Sequence, residues 1–410
     1  MVEENYDIEE FYKWFVGFSD AESSFGIFPI FNQKKVEGFS FKFTIGLHKD
    51  DQGVLNLIKN KLGIGSVYPY NNTQTFVVTK KEDISKLIDI LDKYTLNTSK
   101  FLDFIDFKQA FILYHRRNKL TEELIAQILE FKNNMNTSRS NFSMRENHII
   151  ITRSWLLGLI EGDGSFSLGR VTLEPVFSIK LTEKQLPVLI KIKEYLENNL
   201  GFDLYSMHKL KCSAIITISL ERARNNCKPL VTLMIKNVHF LNNYLTPFFK
   251  DMVFLTKKGK DFNDFKIICR AVYDGAHRRD EIKSLILKLS YTMNSYRLST
   301  YPEVVADLSE NERNLLINAA PTIEHLSDGR QRDIVTKKVV HRRSSSCIYE
   351  IIKPTGEILR MPNLAEAAKV VGVGFNTLKK HLEIELLEGN LLEYNNHIIK
   401  RIPVFYPKIG

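Results

Sequence analysis

Two stretches of the sequence decide the fold: Trp14-Phe-Val-Gly-Phe-Ser-Asp-Ala-Glu-Ser-Ser-Phe25 and Trp155-Leu-Leu-Gly-Leu-Ile-Glu-Gly-Asp-Gly-Ser-Phe166. Each is an apolar run with a central glycine, followed by two acids separated by one residue. Such a run predicts a buried helix. Glycine in mid-helix costs about 1 kcal/mol against alanine, which close contact between two backbones would offset. We therefore expect the helices to pack side by side, Gly17 against Gly158, with their acidic ends together on a pseudo-twofold axis.

The repetition extends beyond these helices. Residues 38–47 alternate apolar and polar side chains, which predicts a half-buried strand. Two closing segments, 98–108 and 256–266, share Thr, Lys, Asp-Phe and Asp-Phe-Lys at matched places. For the second half we predict strands near 165–171 and 176–181, a helix at 184–200, a hairpin at 205–220 and a helix at 228–237. The sequence thus predicts an α+β fold of two pseudo-symmetric α-β-β-α-β-β-α halves.

The acidic ends are the first candidate site. Asp20, Glu22, Glu161 and Asp163 would repel one another and raise each other's pKa if the helices end together. A divalent cation removes this conflict, and Mg²⁺ suits hard oxygen ligands, including phosphate and water. Paired cations can assist hydrolysis at phosphorus. Glu22 and Asp163 are therefore the predicted metal ligands and catalytic acids. For Asp20 and Glu161, helix-end hydrogen bonding is an equal alternative.

Two matched lysines add to this site. Lys100 and Lys258 each stand two residues after the repeated threonine, where a helix is predicted to start. A cation there could stabilise negative charge in a transition state, and a solvated lysine is the alternative. The sequence contains no G-x-x-x-x-G-K-[ST], H-E-x-x-H or G-x-S-x-G motif, so nucleotide-hydrolysing, zinc-protease and serine-hydrolase functions have no support.

Composition favours a polyanionic partner. The formal net charge is +9 and the pI about 9.1. Nucleic acid is favoured over a membrane because no stretch approaches the roughly 20 apolar residues of a spanning helix. The 4 cysteines are scattered without a C-x-x-C pair, which argues against a disulfide scaffold or a zinc site. The first residues show neither a signal peptide nor an Arg/Ser-rich transit pattern.

Together these features resemble the two-motif LAGLIDADG homing endonucleases encoded in fungal mitochondrial introns. The resemblance covers about residues 10–300 and includes the strand ends Leu47-His-Lys-Asp50 and Leu181-Thr-Glu-Lys184. It implies a mitochondrial monomer with saddle-shaped antiparallel sheets that cuts double-stranded DNA at a specific site. It places the metal-binding acids at Glu22 and Asp163 and an active-site lysine at Lys100 or Lys258. Ser23 departs from the glycine usual at its position, which makes reduced activity conceivable.

Two other functions remain open at this stage. The same family contains RNA maturases, so the partner could instead be the RNA of the host intron. A catalytically inactive DNA-binding regulator is the third possibility. A regulator that only binds DNA would need neither Glu22 nor Asp163. Because the sequence contains both, it favours the nuclease.

If the sheets hold DNA, the strand residues opposite the apolar set should face it, because strands can read the major groove with polar and basic side chains. In the first half these residues are Asn32, Lys34, Ser40, Lys42, Thr44, Ser66, Tyr68 and Tyr70. In the second half they are Arg170, Ser178, Lys180, Lys209 and Lys211.

The predicted division of the chain is 1–132 for the first half, 133–150 for a linker, 151–275 for the second half, 276–340 for a basic helical connector and 341–410 for a last module. This module begins with a hairpin that turns at Pro354-Thr-Gly356, and a helix-turn-helix pattern follows around Gly372. It resembles the small DNA-binding repeats appended to intron-encoded nucleases. Its second helix would present Asn376, Lys379 and Lys380 to DNA. A plain αα-hairpin is the alternative.

Overall fold

The computed structural model describes residues 7–143, 148–201, 215–223, 228–303, 305–326, 330–340, 347–385 and 391–403.

The first half is built around a helix and an antiparallel sheet. The helices of this half are α1 (Ile8–Glu22), α2 (Gln52–Leu62), α3 (Lys81–Lys93), α4 (Lys100–Arg116) and α5 (Glu122–Asn133). Its strands are β1 (Ser23–Asn32), β2 (Lys35–His48), β3 (Ser66–Tyr70) and β4 (Thr73–Val78), in the sheet order β1-β2-β4-β3. The predicted alternation in β2 is confirmed, since Phe41 and Phe43 are buried and Lys42 and Thr44 are partly exposed.

The second half repeats this order. Its helices are α6 (Arg153–Asp163), α7 (Leu186–Asn199), α8 (Lys258–Tyr273) and α9 (Asp280–Ser290), with a shorter helical segment over 238–248. Its strands are β5 (Gly164–Gly169), β6 (Glu174–Thr182), β7 (Ile216–Glu221) and β8 (Leu230–Ile235), in the order β5-β6-β8-β7. In the described part of the chain, none of the helices has the length and apolar character needed to span a bilayer.

One predicted element of the second half is wrong. Residues 228–237 do not form a helix, because 230–235 are strand β8, which pairs with β6 on one side and β7 on the other. Val231, Leu233 and Ile235 are all fully buried. A short run that is apolar at nearly every position does not distinguish a helical from an extended period. The predicted hairpin at 205–220 lies partly outside the described residues, and its later part forms β7.

The two halves meet along α1 and α6. A Cβ built on Gly17 would lie 1.9 Å from the carbonyl oxygen of Trp155, and one on Gly158 would lie 2.1 Å from that of Trp14. Any side chain at either glycine would therefore push the two helices apart. The predicted contact of Gly17 with Gly158 is confirmed, and it brings the C-terminal ends of α1 and α6 together.

Each half is closed by the same arginine–aspartate contact. In the first half, Arg139 Nε donates to Asp103 Oδ1 of α4 at 2.9 Å. In the second half, Arg297 Nε donates to Asp261 Oδ1 of α8 at 2.8 Å. Both arginines also bind a second aspartate one helical turn further along. By this repetition the structural pattern of the second half continues to Arg297, beyond residue 275.

The rest of the chain forms two smaller units. Region 276–340 holds α10 (Glu310–Ile317) and a sheet of β9 (Ile323–His325), β10 (Gln331–Asp333) and β11 (Val339–Val340), so it is not purely helical. The last unit contains β12 (Cys347–Ile352), β13 (Ile358–Met361), α11 (Leu364–Val371), α12 (Phe375–Glu385), β14 (Leu391–Tyr394) and β15 (His397–Pro403). Its first hairpin and its helix pair lie where the sequence predicts them, but its second hairpin was not predicted. A separate apolar core holds this unit together.

Candidate active site at the ends of the motif helices

Glu22 and Asp163 are the last residues of α1 and α6. The contact between these helices places Glu22 against the end of α6, since a Cβ on Gly162 would lie 3.0 Å from Glu22 Oε1. Burial, and then the charge of Glu22, raises the pKa of Asp163 to about 6. Burial also raises the pKa of Glu22, while the nearby lysine charges oppose that rise. The two predicted metal ligands therefore share one partly buried site.

Lys100 and Lys258 reach the same place from the first positions of α4 and α8. Lys100 Nζ donates to the carbonyl oxygen of Ala21 at 2.8 Å, and Lys258 Nζ donates to that of Gly164 at 2.6 Å. Carbonyl groups at a helix C-terminus lack intrahelical partners and carry the negative end of the helix dipole. Burial lowers the pKa of both lysines, and the charges of Glu22 and Asp163 act against this. These lysines therefore belong to the acidic site and are not merely solvated.

Asp20 serves as a hydrogen-bonding residue. Its carboxylate accepts the N–H groups of Asn97 at 2.8 Å and Thr98 at 3.0 Å, and the Thr98 hydroxyl at 2.6 Å. The indole of Trp155, in the opposite half, donates to it at 2.8 Å. Burial raises the pKa of Asp20, and these donors act in the opposite direction. Of the two alternatives left open by the sequence, the structure shows helix-end hydrogen bonding.

Glu161 has the same set of donors in the second half. It accepts the N–H of Thr256 at 2.6 Å, the Thr256 hydroxyl at 2.8 Å and the indole of Trp14 at 2.6 Å. Each tryptophan thus donates to the first of the two acids on the other motif helix, Trp155 to Asp20 and Trp14 to Glu161. Sequence reasoning missed these bonds, although the repeated tryptophan and threonine were the signal for them. The threonines precede the site lysines by two residues, so this network also places Lys100 and Lys258.

The donor set between Glu22 and Asp163 fits a divalent cation. Two partly buried carboxylates whose pKa values are raised would both be relieved by a cation. Within the described ranges, no group of three or more His, Cys, Asp and Glu side chains could hold a metal ion by itself. Phosphate oxygens and water would therefore complete the coordination, which is how Mg²⁺ is commonly bound.

The predicted DNA-facing residues of the first half lie on one face of its sheet. Strand pairing joins Gly46 to Thr75 and Thr75 to Tyr68, and paired residues point to the same side of a sheet. This side is opposite the buried phenylalanines. It carries the six residues Ser40, Lys42, Thr44, Ser66, Tyr68 and Tyr70, while Asn32 and Lys34 lie at the β1–β2 turn. Tyr70 is 72% exposed.

The second half presents a less uniform set. Ser178 and Lys180 of β6 lie on the outward side, where Lys180 pairs with Glu221 at 2.9 Å. Arg170 lies 3.9 Å from the ring centroid of Tyr291 and binds Ser290, so it packs on the end of α9. Lys209 and Lys211 lie outside the described residues. In the last unit, Asn376, Lys379 and Lys380 lie on the exposed side of α12, and Leu378 packs in the core.

Comparison with known proteins identifies the family. The model of the LAGLIDADG endonucleases matches residues 15–111 and 156–269, one match in each half. The chain belongs to the LAGLIDADG endonuclease family. Among its relatives is the probable intron-encoded endonuclease Cox1-I1b of Schizosaccharomyces pombe, 32% identical over 46% of this chain and 50% of that protein. The uncharacterized mitochondrial protein RF1 of Saccharomyces cerevisiae is 25% identical over 76% of this chain and 65% of that protein.

A third relative is the probable intron-encoded endonuclease 3 of Neurospora crassa, 27% identical over 67% of this chain and 52% of that protein. The chain thus spans between half and two thirds of the length of these curated relatives. The LAGLIDADG homing endonuclease I-GzeII, solved in complex with its DNA target, is 26% identical with a TM-score of 0.57, covering 70% of this chain and 99% of that one. The predicted α+β fold of two repeated halves with antiparallel sheets is confirmed.

Proposed function

We propose that this protein is a monomeric, site-specific endonuclease that hydrolyses double-stranded DNA with Mg²⁺ held by Glu22 and Asp163. The observation that carries the proposal is the joining of two acids and two lysines at the contact between the halves. Family membership supports the same chemistry. A regulator that only binds DNA would need neither acid, and the chain retains both.

The chemistry divides among these four residues. Bound Mg²⁺ would supply Lewis-acid stabilisation of charge on the phosphate oxygens. Glu22 and Asp163 would hold it over the scissile region. Lys100 and Lys258, anchored by backbone carbonyls, would stabilise the negative charge that develops during displacement at phosphorus. Since burial lowers the pKa of each lysine, either could also exchange a proton with water more easily than an exposed lysine.

The two sheets are the proposed DNA-binding surface. The polar side of the first sheet would meet the bases with Ser40, Lys42, Thr44, Ser66, Tyr68 and Tyr70, and the second sheet would do so with Ser178 and Lys180. Asn32 and Lys34, at the end of the first hairpin, suit phosphate contacts, which fix the register on the duplex. The net charge of +9 supports binding to a polyanion. The related I-GzeII was solved on its DNA target.

The last unit is a proposed accessory DNA-binding module. The exposed side of α12, with Asn376, Lys379 and Lys380, has the composition of a helix that contacts phosphates and bases. The proposed division of the chain extends the first half from 132 to Arg139 and the second half from 275 to Arg297, because the two arginine–aspartate contacts repeat each other. The linker then covers 140–150, the connector covers 298–340, and the last module keeps 341–410.

The proposed biological role is intron homing in the mitochondrion. Two of the relatives are named as intron-encoded endonucleases and another as a mitochondrial protein. The substrate would then be the uninterrupted gene, in which the exons that flank the intron are joined. Binding of intron RNA without DNA cleavage is the outcome that would instead indicate a maturase.

The test combines purified protein with a plasmid that carries the joined flanking exons, and separately with a pool of random duplexes. We expect linear product with Mg²⁺ and none with EDTA. Glu22→Gln and Asp163→Asn should each abolish cleavage and retain DNA binding, whereas Asp89→Asn, at an exposed carboxylate of α3, should cut normally. Undiminished cleavage by either site variant would refute the assignment. Failure of the unmodified protein to cut either substrate with Mg²⁺ would refute the proposed function.

A further inference from the structure

Two short 3-10 turns connect each half to the start of the other half's lysine helix. The first turn, Lys49–Asp51, follows β2, and the second, Glu183–Gln185, follows β6. Because these turns are matched in the internal repeat, Asp51 and Gln185 occupy equivalent positions. Both are nearly buried, each 9% exposed. Their contacts cross the boundary between the halves.

Asp51 caps α8 from the first half. Its Oδ1 accepts the backbone N–H of Lys257 at 2.9 Å, and its Oδ2 forms an ion pair with Lys257 Nζ at 2.8 Å. Lys257 is the N-cap residue of α8, and Lys258 is the first residue of that helix. N–H groups at a helix start lack intrahelical partners, and negative charge is favourable there. The carboxylate therefore fixes the backbone from which Lys258 extends.

Gln185 makes the reciprocal contact from the second half. Its Oε1 accepts the backbone N–H of Ser99 at 3.1 Å, and its Nε2 donates to the Ser99 hydroxyl. Ser99 is the N-cap residue of α4, which begins with Lys100. The amide carries no charge, so this cap lacks the ion pair that Asp51 forms. The geometry is otherwise the same with the halves exchanged.

We propose that Asp51 and Gln185 are positioning residues, each of which holds the site lysine of the opposite half in place. This inference rests on the proposed endonuclease function. Asp51 acts on Lys258 and Gln185 acts on Lys100. Each fixes the main chain one residue before its lysine, whose ammonium then reaches a carbonyl at the end of a motif helix. Small displacements of an aligned catalytic group cost a large part of its effect on rate.

The arrangement predicts that loss of one cap slows cleavage of only one of the two DNA strands. The halves are related by a pseudo-twofold axis, and the two strands of a duplex are related by local twofold axes. Each lysine would therefore lie beside one scissile phosphate. Loss of one cap should slow cleavage of one strand and leave the other, so that nicked DNA accumulates.

The experiment measures single-turnover cleavage of each strand of a doubly labelled duplex taken from the cleaved plasmid site. We expect Asp51→Ala to slow, by about tenfold, the same strand that Lys258→Ala slows. Gln185→Ala should slow the opposite strand, the one affected by Lys100→Ala. Asp51→Asn keeps an acceptor for the Lys257 N–H and should restore most of the lost rate.

Asp50→Ala is the matched control. Asp50 also makes a contact outside the first half, where it accepts the Ser299 N–H at 2.8 Å and the Ser299 hydroxyl at 2.6 Å, just after the second half. Its loss removes the bonds to Ser299 but leaves the hydrogen bond and ion pair of Asp51 with Lys257 in place, so it should not favour one strand. Equal slowing of both strands by Asp51→Ala, while the unmodified protein cuts, would overturn the inference and leave the endonuclease intact.

Gln185→Ala provides a second test if Asp51→Ala does not fold, as checked by thermal unfolding. Equal loss on both strands in that variant, or loss on the strand that Lys258→Ala affects, overturns the inference in the same way. An unmodified protein that cuts neither substrate with Mg²⁺ would overturn the endonuclease proposal and this inference with it.

Discussion

Replacing Asp163 by asparagine should stabilise the metal-free protein while it abolishes cleavage. In the folded chain, burial and the charge of Glu22 raise the pKa of Asp163 from 3.8 to about 6. An acid whose pKa is raised on folding binds its proton more tightly in the folded state, so its ionisation favours unfolding. Asparagine has nearly the same shape and cannot ionise. The variant therefore lacks this destabilisation.

The size of the effect follows from the shift. A displacement of about two pKa units corresponds to about 3 kcal/mol of unfolding free energy at pH values well above 6. The contribution falls as the pH is lowered, to about 1 kcal/mol at pH 4.5, and disappears below the unfolded-state pKa near 4. With an unfolding entropy of about 2.1 cal/mol/K per residue, the full gain corresponds to a rise in Tm of about 3–4 °C for a protein of this size.

The assay is thermal unfolding in EDTA at pH 8 and at pH 4.5, repeated at pH 8 with Mg²⁺. A cation that binds only the folded state adds about 2.7 kcal/mol at one hundred times its Kd, and the unmodified protein alone should gain this. Asp89→Asn, at an exposed carboxylate of α3, is the control for the change of side chain. A Tm gain for Asp163→Asn that is absent at pH 8, or equally large at pH 4.5, would refute the reasoning.

Three further predictions concern the interface between the halves and the DNA surface. Gly158→Ala should lower the unfolding free energy, measured by denaturant titration, by about 3 kcal/mol, because its methyl group would lie 2.1 Å from the Trp14 carbonyl oxygen. The control is Gly53→Ala, whose Cβ meets no atom of the described structure within 4 Å. It should be neutral or stabilising in the same titration. Trp14→Phe should cost about 1–3 kcal/mol by removing a donor from buried Glu161, and calorimetry measures it. Lys34→Ala, at a proposed phosphate contact, should reduce the salt dependence of DNA binding by about one counterion, and Lys86→Ala on α3 should leave it unchanged.

The motif helices and their contact could be predicted from the sequence because the information is local and repeated. A glycine in an apolar helix and acids at its end recur in both halves, so Gly17, Gly158, Glu22 and Asp163 stand out without knowledge of the rest of the fold. The strand at 230–235 could not be distinguished from a helix, because all of its residues except Thr232 are apolar and only its pairing with β6 and β7 shows that it is extended. The spacing of apolar residues in this run therefore favoured neither a helix nor a strand.

The hydrogen-bond network behind the site could not be predicted from local sequence patterns. The bond from Trp14 to Glu161 joins residues 147 positions apart, and only the folded contact of α1 with α6 brings them together. The contact of Arg297 with Asp261 could have been found, since Met-Asn-x-x-Arg occurs at both 135–139 and 293–297. A repeat search extended beyond the closing helices would have placed Arg297 in the second half.

The four site residues are held in place by contacts that cross the boundary between the halves. Glu22 lies against the end of α6, and the networks that place Lys100 and Lys258 include the Trp155–Asp20 and Trp14–Glu161 bonds across the interface. The caps on α4 and α8 also come from the opposite half. A single half would expose the apolar side of its motif helix and lose the indole that its acid requires. Neither half alone can bring both acids and both lysines together, so in the proposed endonuclease the contact between the halves is itself part of the active site.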